Sequence, residues 1–254
     1  MKLGFIGVGK IVSAIVEGLC TADAAGIELF LSPRNEKMSA SLAGKYSTVR
    51  RCGNNQDVLD SSDIIVIALR PAAAEEVLKT LSFHPRHTVV SLVPLLKYAD
   101  LSTVVQPAGW VCRAIPLPTV VQHNCPIPVF RAPGSVVQMF RLLGQPLEVV
   151  DEEQLHAIWT LTGLITPFYE LLGELSSWTV GRGVEEGMAR AYIADLFQSL
   201  AYMAQRAGGV DFAGLASHAA TPNGMNEQAG KEIREKGAHE SWKEAADRLL
   251  KRFI

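Results

Sequence analysis

The sequence predicts an α/β fold: an N-terminal, doubly wound parallel sheet over residues 1–150, followed by an all-α half over residues 151–254. Three observations predict it. The chain opens with an apolar run, Leu3-Gly4-Phe5-Ile6, that has no helical period. It passes through Gly7-Val8-Gly9 into Lys10-Ile11-Val12, where apolar residues begin to recur at helical spacing. Residues 64–69 form the most strand-like run in the chain, apolar on both sides of the pleat, as a central strand of a parallel sheet must be. From Asp151 onward such runs cease, and helical patterns succeed one another to the end.

The first strand is residues 3–6. Gly7 and Gly9 then permit a tight turn and a close backbone approach that side chains would block. Ile11, Ile15, Val16 and Leu19 define one face of the helix that follows. Strand, glycine turn, helix is the context of the Rossmann-type dinucleotide fingerprint, in which a pyrophosphate meets free N–H groups and the positive end of a helix dipole. Gly7, Val8, Gly9, Lys10 and Ile11 would form that site. The third glycine of the pattern is replaced by Val12, and an ordinary βα turn is the alternative. The second strand is residues 27–31. An NAD site offers an acid just beyond it to the ribose 2′-hydroxyl. Here Ser32, Arg34 and Asn35 follow, with Lys37 beyond: a hydroxyl, a guanidinium and an amide suited to a 2′-phosphate. NADP is therefore expected over NAD; the alternative is a solvated loop leading into a helix over 36–43.

A short third strand, 48–52, precedes the turn Gly53-Asn54-Asn55 and a brief helix at Val58-Leu59. The central strand 64–69 ends in Arg70-Pro71. Ligands of doubly wound sheets bind outside the carboxyl ends of the strands, so Ala68, Leu69 and Arg70 should border the cofactor, with Pro71 opening the next helix. Arg70 as a plain surface charge is the alternative. The fifth and sixth strands are 87–93 and 110–115. Short strands at 127–130 and 147–150 flank a helix over 136–143, and the domain boundary is placed near Val150. Helices are then expected at Leu155–Leu161 and over 169–178, 185–206, 211–219, 226–236 and 241–254, with Pro222-Asn223-Gly224 as a turn. Residues 189–203 are apolar almost all round. Such a helix needs cover on most sides, which a second subunit would supply.

Composition narrows the function classes. The chain has 254 residues, 48% hydrophobic and 20% charged, with a net charge of −2, and so can bury a real core. That balance gives no reason to expect nucleic acid or a membrane surface as partner. Cys20, Cys52, Cys112 and Cys125 have the spacing of neither a zinc cluster nor a disulfide framework, so no metal is expected. The N-terminus enters a strand directly, without a leader pattern, and a cytoplasmic enzyme is expected.

Taken together the segments resemble the pyrroline-5-carboxylate reductase family. Gly4-Phe5-Ile6-Gly7-Val8-Gly9-Lys10 is similar to its GFIGxGxM opening, and Asn55 to the asparagine before its short third helix. The run Asp63 to Pro71 is similar to its DVVxLAVKPQ, Arg113-Ala114-Ile115-Pro116 to its RxMPN, and Asp151-Glu152-Glu153 with Leu155 and Ala157 to its DEExxDAVT. Thr221-Pro222-Asn223-Gly224-Met225-Asn226 falls where the family has SPGGTT. The departures gather in the substrate half. GSGPAY becomes Gly163-Leu164-Ile165-Thr166-Pro167-Phe168, the asparagine of RxMPN is Leu117, and the Ala-Ala-Gly after the fifth strand is Val93-Pro94-Leu95.

The resemblance implies hydride transfer from NADPH to a cyclic C=N carbon, the step that makes proline, in a homodimer or larger assembly built on the helical half. It implies substrate binding by Thr221, Gly224, Met225, Asn226 and Glu227. Asn226 would be the leading catalytic candidate, with Thr166 and Tyr169 next. Asn226 as a helix N-cap, and Glu227 as a first-turn acid, are the plainer readings. Two further functions stay open: reduction of a different imine or keto substrate, and a degenerate NADP-binding protein that turns nothing over.

Overall fold

The computed structural model describes residues 1–253. Two compact units are present: residues 1–159 together with Phe253, and residues 160–252. The first unit is built on β1 (Lys2–Ile6), α1 (Lys10–Thr21), β2 (Glu28–Leu31), α2 (Glu36–Lys45), β3 (Val49–Arg51), α3 (Asn55–Asp60), β4 (Ile64–Ile67), α4 (Pro71–Lys79) and β5 (Thr88–Ser91). It continues through α5 (Tyr98–Val104), β6 (Trp110–Ala114), β7 (Cys125–Phe130), α6 (Gly134–Arg141), β8 (Gly144–Val149) and the first turns of α7 (Glu152–Leu161). The eight strands make one sheet in the order β3-β2-β1-β4-β5-β6-β7-β8. All neighbours are parallel except β6 and β7. The chain reverses there because only a loop with a 3-10 turn, Pro118–Gln122, joins those two strands.

Both faces of the sheet are covered, which is why its strands read as continuous apolar runs. Successive residues of β4 alternate between two clusters: Ile64 and Val66 pack with Leu3 and Phe5, whereas Ile65 and Ile67 pack with Ile6, Leu59 and Leu78. β4 is shorter than the expected 64–69. The Ala68 amide still donates to the Ile6 carbonyl, but β1 ends at that point in the glycine turn, and residues 68–70 leave the sheet. The boundary expected near Val150 coincides with the end of β8. The cut between compact units falls later, because Leu155 and Trp159 of α7 pack on Ile115 and Phe130 of the sheet.

The second unit holds α8 (Ile165–Val180), α9 (Glu186–Arg206), α10 (Phe212–Ala219), α11 (Met225–Glu235) and α12 (Ala238–Leu250). Local caps set several starts. Glu185 accepts from the Gly187 and Met188 amides at 2.9 and 2.8 Å, and Asp211 accepts from Gly214 at 2.7 Å. α8 begins four residues before the expected 169, since Pro167 falls in its first turn, where no N–H is needed. The last helix, expected over 241–254, stops at Leu250; Ile254 lies outside the described residues. No helix among the described residues is long and apolar enough to cross a membrane.

Only Ala189 and Ile193 of α9 are buried, while Met188, Tyr192, Leu200 and Met203 are each more than half exposed. An apolar surface of this extent on one helix marks a contact face. We expect light scattering at micromolar concentration to give at least twice the monomer mass, and a monomer would remove the basis for that reading.

Candidate functional site

The exits of β1, β2 and β4 frame one cleft of about 410 Å³. Gly7 lies at φ +93°, and a Cβ there would stand 2.6 Å from the Ala68 carbonyl oxygen, so only glycine lets the two strand ends approach. Gly9 differs. It is the N-cap of α1, with extended backbone, no side-chain cap and nothing within 4 Å of where a Cβ would be. The helix start therefore has no side-chain cap and no acid in its first turn, a fit for a pyrophosphate. Arg34 and Asn35 line the cleft from the β2 side, and Leu69, Arg70 and Ala73 from the β4 side. No carboxylate lines it, and neither arginine forms an ion pair with a described residue.

Of the residues expected at the cofactor, Gly7, Val8, Gly9, Arg34, Asn35, Ala68, Leu69 and Arg70 line this cleft. Ser32 does not. It is fully buried, and its hydroxyl accepts from the Gly7 amide at 2.9 Å, so it shapes the turn and is not exposed to a phosphate. Asn35 has a similar duty, its amide donating to the Val8 carbonyl at 2.8 Å, yet it remains exposed. Lys10 and Ile11 supply amides of the first helical turn without lining the cleft, and Pro71 has no amide to offer. Asn55 is half-buried as the first residue of α3 and is away from the cleft. Its neighbour Asn54 is the N-cap, in a reciprocal capping box with Asp57. Two contributors escaped the sequence reading: Ala73, and Arg51 on β3, which donates to the Pro33 carbonyl at 3.5 Å in the loop that carries Arg34 and also reaches Ser39 and Glu36 of α2.

In the helical unit the turn before α11 is built as its sequence requires. Asn223 takes the left-handed conformation at φ 59°, which asparagine tolerates. The Gly224 amide donates to the Thr221 carbonyl at 2.8 Å. A Cβ on Gly224 would lie 2.2 Å from the Thr221 hydroxyl oxygen. Gly224, not Asn226, is the N-cap of α11. Asn226 is the second residue of the helix, its amide nitrogen donating to the Ala219 carbonyl at 3.0 Å. Glu227 folds back to accept from the Asn223 amide at 2.8 Å. A hollow of about 550 Å³ opens here beside Lys231 and Arg234, and Met225 is 88% exposed. Thr166 and Tyr169 lie elsewhere on the unit, exposed on α8; Tyr169 lines a groove with Arg190 of α9, and Thr166 does not.

Residues 2–94 match the family model described as NADP oxidoreductase, coenzyme F420-dependent, and residues 152–253 match that of pyrroline-5-carboxylate reductase dimerisation. Residues 152–253 thus belong to the pyrroline-5-carboxylate reductase dimerisation domain family. No curated protein matches it. Solved structures do. The 1-pyrroline-5-carboxylate reductase of Streptococcus pyogenes superposes with a TM-score of 0.84 at 19% identity, over 99% of this chain and 97% of that one. The pyrroline carboxylate reductase of Plasmodium falciparum, solved with NADP bound, gives 0.84 at 17% identity, over 99% and 96%. A reductive aminase of Aspergillus terreus, solved with NADPH and ethyl-5-oxohexanoate, gives 0.60 at 16%, over 85% and 76%.

The segment similar to the RxMPN of pyrroline-5-carboxylate reductases carries a buried charge. Arg113 on β6 is fully buried. One of its terminal nitrogens, Nη2, donates to the carbonyls of Val93 at 3.0 Å and Pro94 at 2.7 Å. The other, Nη1, pairs with Glu152 and reaches His156 Nε2 at 2.9 Å, and the guanidinium stands 5.0 Å from the Trp159 ring. Phe253 stacks on His156. Glu152 also accepts the Tyr98 amide at 2.7 Å, thereby capping α5 from α7.

Since arginine can only donate, His156 Nε2 is the acceptor and the imidazole is neutral. Burial first, then the Arg113 charge, hold its pKa below the ordinary histidine value, with Lys97 acting the same way and Glu152 and Glu153 opposing. The unfolded chain takes up that proton at about pH 6.5. The contribution to stability is therefore complete above about pH 6.5 and is lost as pH falls toward the lower folded value. We expect the Tm to drop more steeply between about pH 7 and about pH 5.5 in the parent than in His156→Gln, which keeps an acceptor that does not titrate. Parallel curves would remove His156 from the account.

Proposed function

We propose that the chain is an NADPH-dependent reductase that delivers hydride to the carbon of a C=N bond, with pyrroline-5-carboxylate reduced to proline as its reaction, in a cytoplasmic homo-oligomer. The observation that carries this reading is the cleft, with two guanidiniums free of ion pairs at the β2 and β4 exits and no carboxylate, in a chain whose residues 152–253 match the pyrroline-5-carboxylate reductase dimerisation model. NADPH supplies the hydride; the chain supplies position and electrostatics. Gly9 and the first amides of α1 receive the pyrophosphate, and Arg34, in the loop held by Arg51, receives the 2′-phosphate. Thr221, Gly224, Met225, Asn226 and Glu227 belong to the substrate end, where Lys231 and Arg234 suit an acid substrate. One N–H of the Asn226 amide is engaged with Ala219, and its oxygen is the group able to accept from an iminium N–H. Thr166 and Tyr169 are the remaining catalytic candidates.

A related reductase of a different imine is the second reading. It is favoured by Met225, exposed where the family has threonine, and by Leu164-Ile165 in place of a small polar turn. NADPH oxidation by the purified chain against a panel of cyclic imines and keto acids with amines, led by pyrroline-5-carboxylate, separates the two. The highest kcat/KM on pyrroline-5-carboxylate supports the first reading, and the highest on a larger apolar imine supports the second. Binding of NADPH without turnover on any member would instead support a degenerate NADP-binding protein.

Cofactor choice has its own test. Arg34→Ala should raise the KM for NADPH by about tenfold to a hundredfold, as loss of a charge-assisted bond predicts, and leave NADH nearly unchanged. Equal losses with both cofactors would detach Arg34 from the 2′-phosphate.

A further inference from the structure

The buried guanidinium of Arg113 lies in the sheet, not in the nucleotide cleft, yet it grips backbone that adjoins that cleft. β5 pairs with β4 up to Ser91, and the Leu92 amide still donates to the Ile67 carbonyl at 2.8 Å, next to Ala68 of the cleft. Val93, Pro94 and Leu95 continue from there. Two consecutive carbonyls of this segment, Val93 and Pro94, are turned inward onto a single nitrogen of Arg113. The Val93 amide is tied to the Ser91 hydroxyl at 3.2 Å, and Pro94 has no amide. The backbone polar groups of residues 93 and 94 are thus accounted for internally, and Leu95 is left 42% exposed at the strand exit. Arg113 is itself held from the far side by Glu152 and His156 and by the Trp159 ring.

Sheet order says which part of a dinucleotide meets this segment. The sheet turns over between β1 and β4, and a dinucleotide lies across that point. Its phosphorylated adenosine end belongs on the β2 side, where Arg34 is, so its nicotinamide end runs toward β5 and β6. We propose that Arg113 is a positioning residue for the nicotinamide half of the cofactor: a buried clamp that fixes the segment 93–95 as the wall against which the reactive ring rests. The clamp touches no ligand. It acts by removing the freedom of a loop that would otherwise have to be ordered when the cofactor binds. The proposal rests on the reading of the cleft as an NADPH site.

The test compares two ligands on the same protein by calorimetry: NADPH, and 2′-phospho-ADP-ribose, which lacks the nicotinamide. Arg113→Lys keeps a charge for Glu152 but cannot hold two carbonyls and two side chains at once. A second variant, Arg113→Met with Glu152→Gln, removes both charges together and keeps the comparison available should the lysine variant fail to fold. The expected result is a Kd for NADPH raised by about tenfold, with that for 2′-phospho-ADP-ribose unchanged. An equal loss for both ligands would make Arg113 a part of the scaffold and overturn the proposal, as would failure of both variants to fold. Unchanged binding of both ligands by a folded variant overturns the clamp and leaves the cofactor reading standing. A parent chain that binds neither ligand overturns the cofactor reading itself, and the clamp with it.

Discussion

Replacing Gly9 by aspartate should leave the fold intact and raise the Kd for NADPH by about a hundredfold or more. The two halves of this expectation rest on the same observation. Gly9 has φ −107°, a value open to any residue, and nothing stands within 4 Å of an added Cβ. An aspartate there is a good N-cap, so the Tm should hold or rise slightly. The emptiness around Gly9 is, in the proposed complex, the place of the pyrophosphate. A carboxylate beside it at about 4 Å costs on the order of 4 kcal/mol at an effective dielectric constant near 20, and about 2.7 kcal/mol already corresponds to a hundredfold. Gly7→Ala is the informative contrast. There the backbone is left-handed and the new Cβ meets the Ala68 carbonyl, so stability should fall along with binding. If Gly9→Asp bound NADPH as the parent does, the glycine turn would be an ordinary βα connection and the cofactor assignment would fall.

The largest stability loss is expected at Glu152, a residue of a helix start that sequence alone marks only as a favourable acid. Its carboxylate pairs with the buried Arg113 and accepts the first amide of α5. Glu152→Ala leaves a charge in the sheet without its counter-ion and a helix start without its cap. Breaking a buried pair from one side costs about 3–5 kcal/mol. For a unit of this size that is a fall in Tm of about 6–20 °C, measured at fixed protein concentration because subunit association shifts Tm too. Arg113→Met in the same background should recover most of the loss, since the stranded charge is then gone. A fall of less than about 2 °C for Glu152→Ala would mean that water or His156 satisfies Arg113 without it.

The strand-turn-helix opening, the central strand, the two-part architecture and the exposed apolar helix α9 were all legible in the amino-acid order. Each rests on an interaction within a few residues: a period, a glycine, a proline at a helix start. The family motifs were legible for the same reason, being short and contiguous. What was not legible depends on partners far along the chain. Helix α5 has lysine at its N-cap with no capping bond of its own, and its cap is a carboxylate 54 residues on. Ser32 sits in a loop that reads as phosphate-binding, but its hydroxyl is turned inward to the Gly7 amide, 25 residues away. Asn226 has the residue type of a cap, whereas the helix starts from Gly224, two residues earlier, and leaves Asn226 bonded to Ala219. Arg113 looks in sequence like any charge in a strand. Only the packing of α7 on the sheet brings Glu152 and His156 to it, because burying a guanidinium requires acceptors from several directions at once, and no single segment can supply them.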